Sequence, residues 1–424
     1  MEYISGIIFL ILSVIAFYSF AKKLLTIKRN IHLGRPVELN DQPLERWKNV
    51  FLLALGQKKM FRNIPVALMH LIVYVGFIII NIELLEIIID GIFGTHRFFE
   101  PFLGAFYPFL INSFEVLAAL VVVACVIFLS RRNIIRLKRF ISNDLAGWPK
   151  TDANLILVIE IVLMGLFLLM NAADPAADFI ISSSIKPLLS NFNEHQLHTI
   201  EQSAWWIHIL GIYGFMNYLP YSKHLHIVLA FPNAYYASLE PKGKMHNMES
   251  VQNEVLYAMQ PELAPSNAAT PEKFGAKDVM DLSWKNLMDA YSCTECGRCS
   301  AACPANSTGK LLSPRKIMMD TRDRLEAVGK NIDSNGQFVD DGKTLLNDHI
   351  TIEELRACTT CNACVEECPV SISPLDIILE LRRSLIMEDS NAPAEWNGMF
   401  SNIENNFAPW KFAPDDRDAW TKQS

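Results

Sequence analysis

The sequence has no surplus of basic charge. Its 38 Lys and Arg are outnumbered by 45 Asp and Glu, giving a net charge of −7 at pH 7. A phosphate-binding footprint needs the opposite balance, so nucleic acid is excluded as a partner. None of the 19 glycines falls in a Gly-x-Gly-x-x-Gly run, which removes that signature of dinucleotide binding. Cysteine is almost missing from the first 290 residues, where Cys125 stands alone and reads as a small buried hydrophobe. A secreted disulfide framework would scatter its cysteines through a small, loop-rich chain, so that class is excluded as well.

What is present divides the chain in two. At 51% hydrophobic and 20% charged, it is too apolar for an ordinary soluble protein and too charged for a pure membrane bundle. The first 230 residues carry the long apolar runs, and the remainder carries eight of the nine cysteines. Five segments are long enough to cross a hydrocarbon core of about 30 Å, which takes roughly 20 helical residues. They lie at about Ile4 to Ala21, Ile64 to Ile89, Pro108 to Ser130, Asn154 to Ala172 and Ala204 to Leu229. The first lacks a basic n-region and a small-residue cleavage site, and Lys22 and Lys23 follow it, so it reads as a retained anchor.

The loops orient this bundle. Ten Lys and Arg lie between the first and second spans and six between the third and fourth, whereas the other two loops offer only Arg97 and Lys186. Short basic loops stay in the cytoplasm, which predicts an N-terminus outside and everything after the fifth span inside, in a bacterial cytoplasmic membrane.

Histidines are the informative residues of the spans. His70 sits near the cytoplasmic end of span two, His208 near the outer end of span five, and His224 and His226 near its inner end. A b haem needs two axial imidazoles at similar depth on different helices, a condition that His70 and His226 meet. On one continuous helix His208 and His226 would stand about 27 Å apart, too far for one iron. His224, two positions from His226, is expected to point away from it and to sit at headgroup level, with a reserve role as ligand. Glu83, Glu86, Asp90, Glu115 and Glu160 are candidate proton relays or plain interhelical hydrogen-bond partners, and Trp205 and Trp206 read as interfacial belt residues.

The sequence around these histidines, Ala67-Leu-Met-His70-Leu-Ile in span two and Trp206-Ile-His208 with Lys223-His-Leu-His226 in span five, resembles the five-span cytochrome b subunit of respiratory nitrate reductase. There, two histidines on each of two helices bind two haems. The resemblance implies that His70 and His226 hold the haem nearer the cytoplasm. The expected partner of His208, ten residues beyond His70, is Ile80. That departure leaves one haem, a second haem with another ligand, or a quinone contact at His208.

The cysteines form two runs, Cys293-x2-Cys296-x2-Cys299-x3-Cys303-Pro304 and Cys358-x2-Cys361-x2-Cys364-x3-Cys368-Pro369. Each is the bacterial ferredoxin run, in which three thiolates bind one cubane and the fourth cysteine serves the other cluster. Cys293, Cys296, Cys299 and Cys368 are therefore expected to hold one [4Fe-4S] cluster, and Cys358, Cys361, Cys364 and Cys303 a second. Zinc is the weaker reading, because zinc sites usually use cysteines in pairs. The 54 residues between the runs include a predicted helix from Ser313 to Val328 and a polar loop with Gly336 and Gly342, and another helix is predicted over Pro374 to Met387. This layout is similar to the helical dicluster domain of heterodisulfide reductase and succinate dehydrogenase iron-sulfur subunits.

The expected architecture is mainly α: a five-helix transmembrane bundle at 1–230, a linker at 231–275, a helical ferredoxin-like dicluster domain at 276–390 and a partner-docking tail at 391–424. The tail bears Trp410, Arg417 and Trp420. In this order the parts resemble the membrane-bound heterodisulfide-reductase-like oxidoreductases, some of them proposed as electron-transfer-flavoprotein:menaquinone oxidoreductases. The resemblance implies electron transfer between the clusters, b haem and menaquinone. It also implies a cysteine-rich iron-sulfur subunit as partner, because family members continue into further cysteine-rich domains and no cysteine follows Cys368. An electron-transfer flavoprotein or acyl-CoA dehydrogenase is implied upstream, and no catalytic nucleophile is expected in this chain. The rival expectations are a conduit running from quinol to a soluble acceptor, and a redox sensor without turnover.

Overall fold

The computed structural model describes residues 2–176, 178–265, 273–411, 413, 416 and 418–422. Helices dominate, and among the described residues there is no β-strand, only two isolated bridges. Four helices are long and apolar enough to cross a membrane: α1 (Glu2–Ile31), α2 (Ile64–Phe93), α3 (Phe106–Asn133) and α4 (Trp148–Ala173). Helix α5 (Glu194–Tyr218) packs against α4 and closes back onto α1, while α1–α2, α2–α3 and α3–α4 are in contact in chain order. Small residues permit the close approaches. A Cβ on Gly76 would come within 2.8 Å of Val121, and one on Gly91 within 2.7 Å of the Phe9 ring. The outward faces carry exposed Ile7, Ile11, Val14, Phe77, Val123 and Val162, a surface suited to lipid rather than water.

The fifth apolar segment departs from expectation. Its helix begins at Glu194, where Asn193 and Gln196 form a capping box, and it ends at Tyr218 rather than continuing through His226. Pro220, which lacks an N–H to continue the ladder, lies in the 3-10 turn Leu219–Tyr221. A second 3-10 turn, Lys223–Leu225, is capped by the Ser222 side chain, and α6 (His226–Tyr235) follows. His208 and His226 therefore do not share one helix. Helix α6 also runs across position 230, the expected end of the membrane domain, and packs on α7 (Trp284–Ser292) of the cysteine half.

That half is built on α7, α8 (Pro314–Asn335) and α9 (Pro374–Arg383). Each begins at a serine cap: Ser283 before α7, Ser313 before α8 and Ser373 before α9, the last two followed by proline at the first helical position. Gly336, at φ 79°, ends α8 in the left-handed conformation that glycine adopts without strain. Their inner faces (Leu287, Ile317, Leu325, Val328, Ile377, Leu381) form one core with Ile27 and Ile31 of α1 and with Leu219 and Leu225. At 30 residues α1 is about 45 Å long, more than the bilayer core needs, and its surplus turns are what join the two halves.

Polar contacts complete the joint. Asn30 donates to the Tyr291 hydroxyl at 3.0 Å, and its side chain lies where a Cβ on Gly329 would fall, 2.5 Å away. Arg315, fully buried, ion-pairs with Asp144 at 2.6 Å and donates to the Arg139 carbonyl at 2.8 Å. Burial disfavours the Asp144 carboxylate, but the bonds from Arg315 and Ser142 outweigh it and hold the group below its usual range. In the tail, α10 (Ala394–Asn406) places Trp396 beneath Arg356, 5.8 Å from the ring centre. Trp410 and Trp420 are exposed, and Arg417 lies outside the described residues.

Candidate redox centres

The two cysteine runs adopt the same backbone course. A short capped helix, Trp284–Ser292 or Ile352–Ala357, delivers the first cysteine at its end. Two left-handed residues follow, Glu295 (φ 52°) and Gly297 (φ 71°) in the first run, Thr360 (φ 56°) and Asn362 (φ 62°) in the second. A five-residue helix, Arg298–Ala302 or Ala363–Glu367, then leads to the cysteine before proline. Left-handed residues between cysteines turn three thiols toward one point, and glycine and asparagine tolerate that conformation best. Gly297 has a second reason: a Cβ there would stand 2.5 Å from the Arg315 guanidinium.

The runs interleave in space. One cavity is lined by Cys293, Cys296, Cys299, Cys364 and Cys368; a second is lined by Cys303, Cys358, Cys361 and Cys364. The first thus gathers Cys293, Cys296 and Cys299 of one run with Cys364 and Cys368 of the other, and the second gathers Cys358, Cys361 and Cys364 with Cys303. All eight cysteines are free. Burial pushes the Cys293 and Cys364 thiols up to about 12 and Cys368 to about 11, and it raises Cys299 well above its ordinary value. Four such groups become thiolates together only where a cationic centre offsets their charge, so the donor set fits an iron-sulfur cluster. Backbone N–H groups already point at two sulfurs, Thr360 at Cys358 (3.4 Å) and Ile372 at Cys368 (3.3 Å).

Three histidines gather where the membrane half meets the first cavity. His70 is close enough to His226 and His224 for their charges to interact, and the His224 and His226 rings are 5.6 Å apart. This corrects the expectation that His224 points away from His226: the two rings are neighbours, the His224 ring is 5.5 Å from Phe215, and its Nδ1 is buried with no hydrogen-bond partner among the described residues. The two-residue rule for a continuous helix does not apply, because a 3-10 turn ends between the two residues.

His70 donates from Nδ1 to the Gln57 side-chain oxygen at 3.0 Å, and His226 from Nδ1 to the Lys223 carbonyl at 3.0 Å. Anchoring one ring nitrogen on an acceptor leaves Nε2 as the lone-pair donor, the arrangement that metal-bound imidazoles use. His70 and His226 thus each present Nε2 as a lone-pair donor. His208 is anchored in the same way to the Leu163 carbonyl at 2.9 Å, but it stands apart from the other three, in a separate cavity within the bundle with Ile80, Glu83 and Glu160.

The residues that join the two centres carry no signal of their own in the sequence. Glu295, between Cys293 and Cys296, is paired with Lys223 at 2.6 Å and Arg322 at 2.9 Å. Burial opposes its ionisation, yet these two cations hold the carboxyl below its usual range. Lys59 donates to the Cys368 carbonyl at 3.0 Å, and Arg298 donates to the Lys59 carbonyl at 3.2 Å. The basic segment between α1 and α2 thus helps to hold the cysteine domain in place.

Geometry and thiol chemistry together define a dicluster iron-sulfur domain anchored by apolar helices, and residues 292–372 match the family model of the 4Fe-4S dicluster domain. Over almost its whole length the chain is similar to the "Probable iron-sulfur-binding oxidoreductase FadF" of Bacillus subtilis, at 26% identity across 99% of this chain and 61% of that protein. It is similar to the "EtfAB:quinone oxidoreductase" of Syntrophomonas wolfei at 26% identity, across 99% of this chain and 59% of that one. One component of the ferredoxin/F(420)H(2)-dependent CoB-CoM heterodisulfide reductase of Methanosarcina acetivorans is 36% identical over 28% of this chain and 60% of its own length. The chain spans about three fifths of the length of the first two relatives. No solved structure matches it.

Proposed function

We propose that the chain is the membrane-anchored electron-transfer part of an oxidoreductase, carrying electrons between a soluble flavoprotein or iron-sulfur partner and menaquinone. In this reading Cys293, Cys296, Cys299 and Cys368 hold one [4Fe-4S] cluster, Cys303, Cys358, Cys361 and Cys364 the other, and His70 and His226 a b haem. Bound there, the clusters and the haem supply one-electron transfer steps. α5 serves as the fifth span, and the cysteine domain faces the cytoplasm of a bacterial cell. The tail from 391 onward, with Trp410 and Trp420, serves docking. The whole-protein role in relation to an electron-transfer flavoprotein follows the printed name of the Syntrophomonas relative.

One observation carries the reading. Two short segments each touch both a candidate haem histidine and the first cysteine site: Gln57 holds His70 while Lys59 holds Cys368, and the Lys223 carbonyl holds His226 while its ammonium holds Glu295. Adjacent redox sites with no catalytic nucleophile between them suit conduction rather than substrate chemistry.

The test is spectroscopic. The protein purified anaerobically with its co-purifying subunits is expected to show dithionite-reducible b-type absorption, and a menaquinol analogue is expected to reduce its clusters. His70→Ala should abolish the haem signal and the quinol-driven step while leaving cluster content unchanged. Absence of b-type absorption in the unmodified protein would remove haem from the reading.

A further inference from the structure

The cavity that holds His208 lies between α2, α3, α4 and α5, apart from the histidine group at the cytoplasmic side. Its walls are largely apolar, with Gly76, Ile80, Leu84, Val121, Met164 and Ile212 among them, and its polar groups are few. They are the His208 imidazole, anchored through Nδ1 so that Nε2 is free, the Glu160 carboxyl, Glu83, and Asn81, whose amide donates to the Phe77 carbonyl one turn back. Glu83 is 5% exposed, and its Oε2 has no hydrogen-bond partner. An unpaired buried carboxyl in an apolar chamber is costly unless a ligand or a proton uses it. A flat apolar ring with two carbonyl or hydroxyl oxygens would meet both the walls and these groups.

Glu83 is also the inner end of a polar chain. One turn further along α2, three positions on, Glu86 is likewise buried and lies on the same face of the helix. Glu86 accepts from the Tyr107 hydroxyl at 2.9 Å, and Arg97 reaches that hydroxyl at 3.4 Å and Asp174 at 2.8 Å. The ligand atoms of His96, Asp174 and Glu201 lie within 4.8 Å of one another, and His96 is exposed just beyond the end of α2 that lies away from Lys59 and Cys368. Asp90, the other acid on this stretch, is occupied by Thr95 and the backbone N–H groups of Arg97 and Phe98.

We propose that this cavity binds the ring of a lipid-soluble quinone, and that Glu83, Glu86, Tyr107 and the Arg97–Asp174–His96–Glu201 cluster exchange its protons with the outer face. The proposal rests on the electron-transfer reading and names the quinone site and the side on which its protons move. Reducing the quinone takes two electrons, supplied through the protein by the soluble reduced donor, and two protons. One O–H bond forms at each carbonyl oxygen, and both protons enter along this chain. Oxidation of the hydroquinone reverses each step. Ile80, at the position where the resemblance would place a second haem histidine, becomes part of the ring's apolar wall.

Binding separates this proposal from the electron-transfer reading. The quinol mimic 2-heptyl-4-hydroxyquinoline N-oxide, whose fluorescence is quenched when bound, is titrated into the complete protein in nanodiscs with cluster and haem spectra recorded alongside. The unmodified protein should quench it saturably. Ile80→Trp, which fills the cavity, should weaken binding about tenfold or more with the spectra unchanged. Glu83→Gln, nearly isosteric, should keep binding and slow quinone reduction about tenfold or more. In proteoliposomes, proton uptake during reduction should appear on the face bearing His96. No saturable binding, binding indifferent to Ile80→Trp, or an unslowed Glu83→Gln would each overturn the proposal while quinone-linked electron transfer could still stand. Loss of that electron transfer with binding intact would instead overturn the reading on which it rests.

Discussion

The two halves encode their sites by different means. In the cysteine half the ligands lie a few residues apart, two runs repeat one backbone course, and left-handed residues at matching places aim three thiols together. In the membrane half His70 and His226 come from segments far apart in the chain, and each is aimed by a different kind of acceptor, a glutamine side chain and a lysine carbonyl. Spacing dictates the first site, whereas packing dictates the second. A local site should therefore fail ligand by ligand, and a packed site should also fail through residues that never touch the cofactor.

The sharpest break concerns the exchange of the fourth ligand. Cys368→Ser should remove the same cluster as Cys293→Ser, although Cys368 stands in the other run, and Cys303→Ser should match Cys358→Ser. Each change should lower bound iron by about half, since each cluster carries four irons, with paramagnetic resonance of the reduced protein showing which signal is lost. If Cys368→Ser instead matched Cys358→Ser, the interleaving of the two cavities would be wrong.

The next break lies at the joint. Asp144→Ala would leave the buried Arg315 guanidinium without its carboxylate, a loss of roughly 3–5 kcal/mol for a buried pair broken on one side. Detergent-resistant docking of the cysteine domain, followed by limited proteolysis, should weaken accordingly, with the span helices unchanged. The same pair sets an acid limit. Because the Asp144 carboxyl is held below its usual 3.8, its contribution is complete above that value and is lost as pH falls through the lower folded value. Proteolytic protection of the joint should be flat near neutrality and fall only in strong acid.

These contrasts explain what is legible in the sequence. The four-cysteine runs are readable because iron-sulfur ligation needs fixed local spacing. The first four spans are readable because each is one uninterrupted apolar helix. The fifth differs from its expected course because hydropathy alone carries the helix past Pro220 and misses the Asn193 capping box, and the break it overlooks is what brings His224 beside His226. Glu295, Lys59 and Gln57 are invisible as site residues because their roles depend on contacts between segments far apart in the chain.

A smaller effect distinguishes aiming from ligation in the membrane half. Gln57→Leu keeps both imidazoles but removes the acceptor that orients His70, so haem should still bind, about 10- to 100-fold more weakly, as for other partners of metal-bound histidines. Haem titration of the apoprotein would measure this, and an unchanged affinity would mean that helix packing alone aims the ring.

The smallest expected effect is at Cys125, the one cysteine of the membrane half. It is fully buried among Val121, Ala118 and Ile156 in the bundle core and lines neither cysteine cavity. Cys125→Ala removes one sulfur's packing and should cost about 1 kcal/mol, with cluster, haem and quinone signals unaltered. Cys125→Ser should cost more, because it puts a hydroxyl into a largely apolar core. If either change altered the cluster spectra, the division between a locally coded iron-sulfur site and a packing-coded membrane site would not hold, since a residue of the bundle core would then govern the thiol ligands from a distance.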